Sequence, residues 1–246
     1  MSGHSKWATI KRAKAKTDSA RGKVFTKIIR EITTAAKISG VDVSSNPRLR
    51  LAIEKAKEAN MPNDNIKRAI DRAAGAEAAA LEEITYEGYG PSGIAILVET
   101  LTDNKNRTTG EVRNAFTKGG GNFGSSGCVS YLFKKMGIIS FDKERVDMDA
   151  LSMDAIDAGA EDINPEEGEV ATTPLNFEKL RDTLKNKGYE IANAEVTMIP
   201  STTVKLAGED ARKAMRLIAH LEELDDVQGV HSNADIPDEI IEQEVK

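Results

Sequence analysis

"GIISFDKERVDMDALSMDAIDAGAEDINPEEGEVATTPLNFEKLRDTLKNKGYEIANAEVTMI", Gly137–Ile199, decides the fold class. It opens on a strand-like run, GIISFD, and passes into a helical pattern over about 147–158. Two short strands follow near 161–164 and 168–173, then a helix over 176–187 and a strand over 194–199. The order βαββαβ is that of a ferredoxin-like unit, which closes its own sheet. The reading is therefore a self-contained α/β domain over 135–202.

The residues before this stretch contain an unfinished domain. "ITYEG" and "GIAILVETL" read as two strands joined by the loop Gly88–Gly93, Asn106–Lys118 as a helix, and "CVSYLF" as a further strand. The missing helix and strand come only after the ferredoxin-like stretch, as "GEDARKAMRLIAHLEEL" and "VQGVHSN". This predicts a discontinuous α/β domain, 82–134 plus 203–246, into which the 135–202 domain is inserted.

Upstream the texture is helical. Phe25, Ile28, Ile29, Ile32, Ala35 and Ala36 recur at steps of three and four, so one helix face is apolar. That helix ends near Gly40. In "SSNPRLRLAIEKAKEANMPNDNIKRAIDRAAG", Asn46 is a helix cap and Pro47 fits the first turn, where no N–H is needed. Asn60–Met61–Pro62 breaks that helix, and Asn63 or Asp64 starts a third. The fold class is thus α+β: a helical bundle over 21–78, preceded by a basic arm over 1–20 and followed by two ferredoxin-like domains, one inside the other.

Charge divides the chain more sharply than composition does. Residues 1–72 hold 17 Lys and Arg against 7 Asp and Glu, whereas the remainder holds 17 against 33. An acidic protein that begins with a cationic segment points that segment at a polyanion. The arm supplies Lys6, Lys11, Arg12, Lys14 and Lys16, and the first helix adds Arg21, Lys23, Lys27 and Arg30 beside its apolar stripe. Such cations meet phosphates and provide affinity rather than sequence choice. Trp7 either stacks on an exposed base or folds back onto the bundle. The third helix offers Asn63, Asn65, Lys67, Arg68 and Arg72, side chains suited to a groove. A secondary loop surface is formed by Tyr89, Lys105, Arg107 and Lys118. The glycine-rich loops "GYGPSG" and "KGGGNFGSS" fall at one end of the middle domain and "TDNKNR" at the other.

Other chemistries find little support. "GGGNFG" matches a dinucleotide fingerprint by letter, but a helix precedes it and a strand follows, the reverse of what phosphate cradling needs. Gly22–Lys23 lacks the remaining Walker residues. His4, His220 and His231 are far apart and the single cysteine, Cys128, reads as a small core residue, so no metal spacing can be drawn. Glu222, Glu223, Asp225 and Asp226 read as a solvated helix face. No nucleophile shows an arranged partner, so no catalytic residue, cofactor or metal is expected, and an enzyme acting on nucleotides or nucleic acid is the remote alternative. No run approaches the roughly 20 apolar residues of a membrane span. With one cysteine and no apolar leader segment, the expected compartment is the cytoplasm.

The stretches "GHSKW", "RGKVFTKIIREI", "NPRLRLAIEKAK", "NMPNDNIKRAI", "EEITYEGYGPSGIAILVETLTDNKNRT" and "EVRNAFTKGGGNFGSSGCVSYLF" resemble the YebC/PmpR family over nearly the whole chain. The resemblance implies three domains, an N-terminal helical bundle and two α/β domains. It implies a non-enzymatic regulator of gene expression, described either as a DNA-binding transcriptional regulator or as a translation factor that relieves ribosomal stalling, such as at proline runs. Partners would be DNA or ribosomal RNA with the large ribosomal subunit, and no membrane. The charge of the body leans this toward translation, because a strongly acidic body is repelled by a long duplex. Two departures stand out: Cys128 where the family suggests serine, and the alanine-rich link "RAAGAEAAALEE".

Overall fold

The computed structural model describes residues 18–75, 81–237 and 239–241. The chain forms two compact units, one over 131–202 and the other from the residues on either side of it.

The larger unit begins with three helices, α1 (Asp18–Ser39), α2 (Pro47–Glu58) and α3 (Asn63–Ala74). Helix α1 packs against both of the others. Their shared core is built from small residues: Ala35, Ala36, Ala52, Ala56 and Ala69 are buried with Ile32, Leu49, Met61 and Ile66. Asn46 is fully buried and does more than cap α2. Its Oδ1 accepts from Leu49 N at 3.0 Å while its Nδ2 donates to the carbonyls of Ala35 (2.9 Å) and Gly40 (2.7 Å). One amide thus satisfies the start of α2 and the end of α1, groups that have no partner within their own helices.

The rest of this unit is a four-stranded antiparallel sheet with two helices on one face. Strands β1 (Glu82–Tyr89) and β2 (Ala95–Thr102) form its centre, linked by a 3₁₀ turn over Pro91–Gly93. Helix α4 (Lys105–Lys118) leads to a two-residue strand, β3 (Asn122–Phe123), which pairs with β1.

The smaller unit contains β4 (Phe133–Phe141), α5 (Met148–Asp157), β5 (Asp162–Asn164), β6 (Glu169–Thr172), α6 (Phe177–Asn186) and β7 (Ile191–Pro200). Its strand order, β5-β6-β4-β7, with every pair antiparallel, is ferredoxin-like. Phe177, Leu180 and Leu184 of α6 and Leu151 and Ala155 of α5 are fully buried, as are Ile139 and Val170 of the sheet.

The chain then returns to the larger unit through β8 (Val204–Lys205), α7 (Gly208–Glu223), β9 (Val227–Ser232) and β10 (Ala234–Asp235). Strand β9 pairs with β2, giving the order β3-β1-β2-β9, and β8 pairs in parallel with β10. Val112, Ala115 and Phe116 of α4 and Ala214, Leu217 and Leu221 of α7 bury the face that carries Tyr86, Ile96, Val98 and Val230. The layers are those of a ferredoxin-like domain, reached by a different path along the chain.

One expected strand is absent. "CVSYLF" (128–133) contains a 3₁₀ turn over Ser130–Leu132, and the strand begins only at Phe133. The cause lies in β1. The buried Glu87 carboxylate accepts the N–H groups of Gly127, Val129 and Ser130, each at 2.7 Å, so those amides are unavailable to a neighbouring strand. Burial would raise this carboxyl's pKa, but the three N–H donors outweigh it and hold the group ionised below the usual carboxylate range.

Candidate nucleic-acid interface

Lys23, Lys27 and Arg30 recur on α1 at steps of four and three and share one face. That face meets the C-terminal end of α7. Lys23 Nζ donates to the carbonyl of Glu223 (3.3 Å), Lys27 Nζ to that of Glu222 (2.6 Å), and Arg30 Nη1 to that of Asp225 (2.5 Å). The last carbonyls of a helix lack intrahelical donors and carry partial negative charge, so cations are favoured there. Three side chains expected at phosphates are therefore engaged in docking the bundle onto the neighbouring domain.

Asp226 anchors the contact. It is 1% exposed, which corrects its reading as solvated surface. Its Oδ1 takes Arg30 Nη1 at 2.6 Å. Its Oδ2 takes Thr108 Oγ1 (2.6 Å), Arg107 Nη2 (2.7 Å) and Thr102 Oγ1 (3.0 Å). Burial opposes ionisation, yet the hydrogen bonds from Thr108, Arg107 and Thr102 and the charge of Arg30 prevail, and the carboxyl lies below its ordinary pKa. Arg107 also pairs with Asp103 at 2.7 Å. A second tie joins the same two parts: Arg48 bonds Glu31 at 2.6 Å and also Glu83.

Other bundle cations face outward, although Arg50 is half-buried and donates to the carbonyls of Val43 and Ser44. On α3, Asn63, Lys67, Arg68 and Arg72 are exposed and Asn65 is half-buried. Arg68 bonds within its own helix, to Asp64 O (3.1 Å) and Asn65 Oδ1 (2.8 Å). Lys67 and Arg72 have no ion-pair partner among the described residues, though Asp64 and Asp71 share the helix. Lys55 and Lys57 of α2 are exposed as well. Lys6, Trp7, Lys11, Arg12, Lys14 and Lys16 lie outside the described residues, as does the side chain of Arg21.

The secondary loop residues do not form one surface. Tyr89 and Lys118 stand at the end of the sheet where β1 meets β3, and Tyr89 Oη donates to Cys128 O at 2.9 Å. Lys105 and Arg107 stand at the opposite end, where α4 begins. Most glycines of the two loops serve internal packing, while Gly93 and Gly120 lie in open space at positive φ. A Cβ on Gly88 would lie 2.6 Å from both Asn122 O and Phe116 Cε1, and one on Gly121 would lie 2.6 Å from Tyr89 O.

Burial first, and the nearby Glu87 charge second, push the Cys128 thiol pKa up and away from the reactive thiolate. His231 Nε2 is 3.0 Å from Glu99 Oε2, within hydrogen-bonding distance across the sheet. Among the described residues no helix is long and apolar enough to cross a membrane.

Sequence reasoning missed Asp226 and Glu87. Each is an acid in an acidic chain, and its partners are supplied by residues distant in sequence, so neither carries a local signal.

Fold and charge together define a multidomain α+β protein with a cationic helical head clamped to a discontinuous acidic body. Residues 5–76 match the model of the TACO1/YebC protein N-terminal domain, and residues 81–234 match that of the TACO1/YebC second and third domain. The chain belongs to the TACO1/YebC family, in agreement with the resemblance read from its motifs. It is 53% identical to a probable transcriptional regulatory protein of Syntrophus aciditrophicus, over 99% of both chains. It is 52% identical to one of Treponema pallidum, over 98% of this chain and all of that one. The crystal structure of a conserved hypothetical protein from Aquifex aeolicus superposes with a TM-score of 0.83 at 47% identity, covering 92% of this chain and 95% of that one.

Proposed function

We propose that this chain is a non-catalytic, cytoplasmic nucleic-acid-binding regulator of gene expression that acts on the ribosome, with ribosomal RNA as its polyanion. One observation carries the reading. Lys23, Lys27 and Arg30 of α1 are spent on the end of α7, while the bundle presents to solvent the outer face of α3 with Lys67, Arg68 and Arg72, adjoining in sequence a body of net acidic charge. A ribosome offers RNA to the arm and α3, and basic protein or solvent to the acidic domains. A long DNA duplex offers only phosphate, which repels them. The second reading, a DNA-binding transcriptional regulator, is favoured by the names of the relatives, probable transcriptional regulatory proteins.

The test is deletion of the gene, with ribosome occupancy compared against transcript levels. The translation reading expects pauses at particular codon contexts, such as proline runs, before transcripts change. It also expects the protein to co-sediment with the large ribosomal subunit in an arm-dependent way. Transcript shifts without altered pausing, with purified protein selecting one promoter over random DNA, would establish the DNA reading instead. Replacing Lys11, Arg12, Lys14 and Lys16 with alanine should lower the salt slope of RNA binding by roughly 3 units.

A further inference from the structure

Helix α4 runs against the charge of the acidic body that contains it. Its residues include Lys105, Arg107, Arg113 and Lys118 and a single acid, Glu111. The buried stripe is Thr108, Val112, Ala115 and Phe116. On the opposite side Asn106, Gly110, Arg113, Asn114 and Thr117 are all exposed, and none is a carboxylate; Glu111 is half-buried at the margin.

Gly110 is the informative residue. A glycine inside a helix is unfavourable relative to alanine, so it asks for a reason. At Gly88 the reason is crowding. At Gly110 a Cβ would meet nothing within 4 Å, and no left-handed backbone is involved. Nothing among the described residues needs the missing side chain. What the glycine leaves is a notch in an exposed helix face where another backbone can come close.

The side chains around the notch have matching chemistry. Arg113 Cζ lies 5.0 Å from the centre of the Phe123 ring, so the aromatic face holds the guanidinium in place. No carboxylate pairs with Arg113 or Lys118 among the described residues. Asn106 and Asn114 add short hydrogen-bonding groups. From Asn106 to Lys118 the helix advances about 18 Å, and a nucleic acid strand carries a phosphate roughly every 3.4 Å of its axis.

We propose that this face of α4 is a second nucleic-acid contact. The sugar–phosphate backbone of one strand lies along it, nearest at Gly110, with Arg113 and Lys118 on phosphates and Asn106 and Asn114 on sugar or phosphate oxygens. The proposal rests on the nucleic-acid reading above, yet it concerns a different element from the arm and α3.

The experiment is fluorescence anisotropy on the full-length chain across a salt series, with a ribosomal-RNA hairpin and a 20-bp DNA duplex as probes. Arg113→Gln with Lys118→Gln should weaken binding about tenfold and lower the salt slope by roughly 1.5 units. Gly110→Leu should weaken it several-fold with a melting temperature at or above wild type, because leucine is the better helix former. Loss on the hairpin alone identifies RNA as the strand; loss on both probes identifies a shared backbone contact. Wild-type affinity and slope in all α4 variants, with binding still lost in the arm variant, would overturn this proposal and leave the proposed function standing. No binding of either probe by the wild-type chain near 150 mM salt would overturn both.

Discussion

Arg30 Nη1 stands 2.6 Å from Asp226 Oδ1, joining the first helix to the turn that follows a helix almost 200 residues later. The pair is asymmetric. The carboxylate is 1% exposed and the arginine side chain 21%. Removing the acid takes a shared acceptor from two cations and two hydroxyls at once, although Arg30 keeps the Asp225 carbonyl and Arg107 keeps Asp103, whereas removing the arginine leaves one oxygen of an acid that keeps three other donors.

Asp226→Ala should therefore destabilise the chain by roughly 3 kcal/mol, and Arg30→Ala by less. Thermal unfolding of both variants checks the order. A larger loss for Arg30→Ala would refute the view that Asp226 is the hub.

Acidification should act through the same group. The folded pKa of Asp226 lies below its unfolded value of about 4. Its contribution is thus fully present above that pH and is lost as pH falls through the folded pKa. Glu87 behaves alike. Urea midpoints measured from pH 6 down to pH 3 should fall steeply in the wild type, and less steeply in Asp226→Asn and Glu87→Gln. Parallel curves would contradict this.

Glu87→Gln keeps the shape but turns an amide N–H₂ toward backbone N–H groups that need an acceptor. A cost of about 2 kcal/mol is expected. Amide exchange of Val129 and Ser130 should accelerate more than that of β2. Uniform acceleration would place the effect elsewhere.

Two glycines should respond to alanine with opposite signs. Gly88→Ala forces a methyl against Phe116 and the Asn122 carbonyl, a cost of about 2 kcal/mol. Gly110→Ala adds a methyl to open space in a helix and should stabilise by roughly 0.5–1 kcal/mol. Calorimetry of the two single variants decides it.

Cations on the two helices should also separate. Lys67→Gln with Arg72→Gln should lower the salt slope of RNA binding by about 1.5 units without changing stability. Lys27→Gln should lower the melting temperature and leave the slope alone. A slope change for Lys27→Gln would mean that the α7 carbonyls release it when RNA binds.

Much of this architecture was legible because its signals are local. Asn46, Pro47 and Gly40 announce the helix ends through side chains and backbone freedom that act within a few residues. The βαββαβ rhythm needs only alternation and helical periodicity. The strand misread over 128–133 shows the limit: "CVSYLF" has strand-forming residues, but their amides belong to Glu87, some 40 positions upstream. The candidate interface was legible as a charge bias and no further. Spacing places Lys23, Lys27 and Arg30 on one face, yet only the tertiary structure says that the carbonyl end of α7 waits there. Arg107 is likewise indistinguishable from Lys118 in sequence, and Asp226 claims one and not the other.

Phe133 at the start of β4 pairs with Pro200 at the end of β7, and Ser201 N donates to Leu132 O at 2.8 Å. The two ends of the inserted unit are thus held side by side as a narrow neck, with Ser201 Oγ also donating to Leu132 O at 3.0 Å. Such a neck makes the unit a cassette. Evolution can lengthen it, exchange it or recombine it as a block, because any replacement need only bring its two ends together. The bundle, its clamp and the surrounding sheet can then stay fixed while the cassette diversifies.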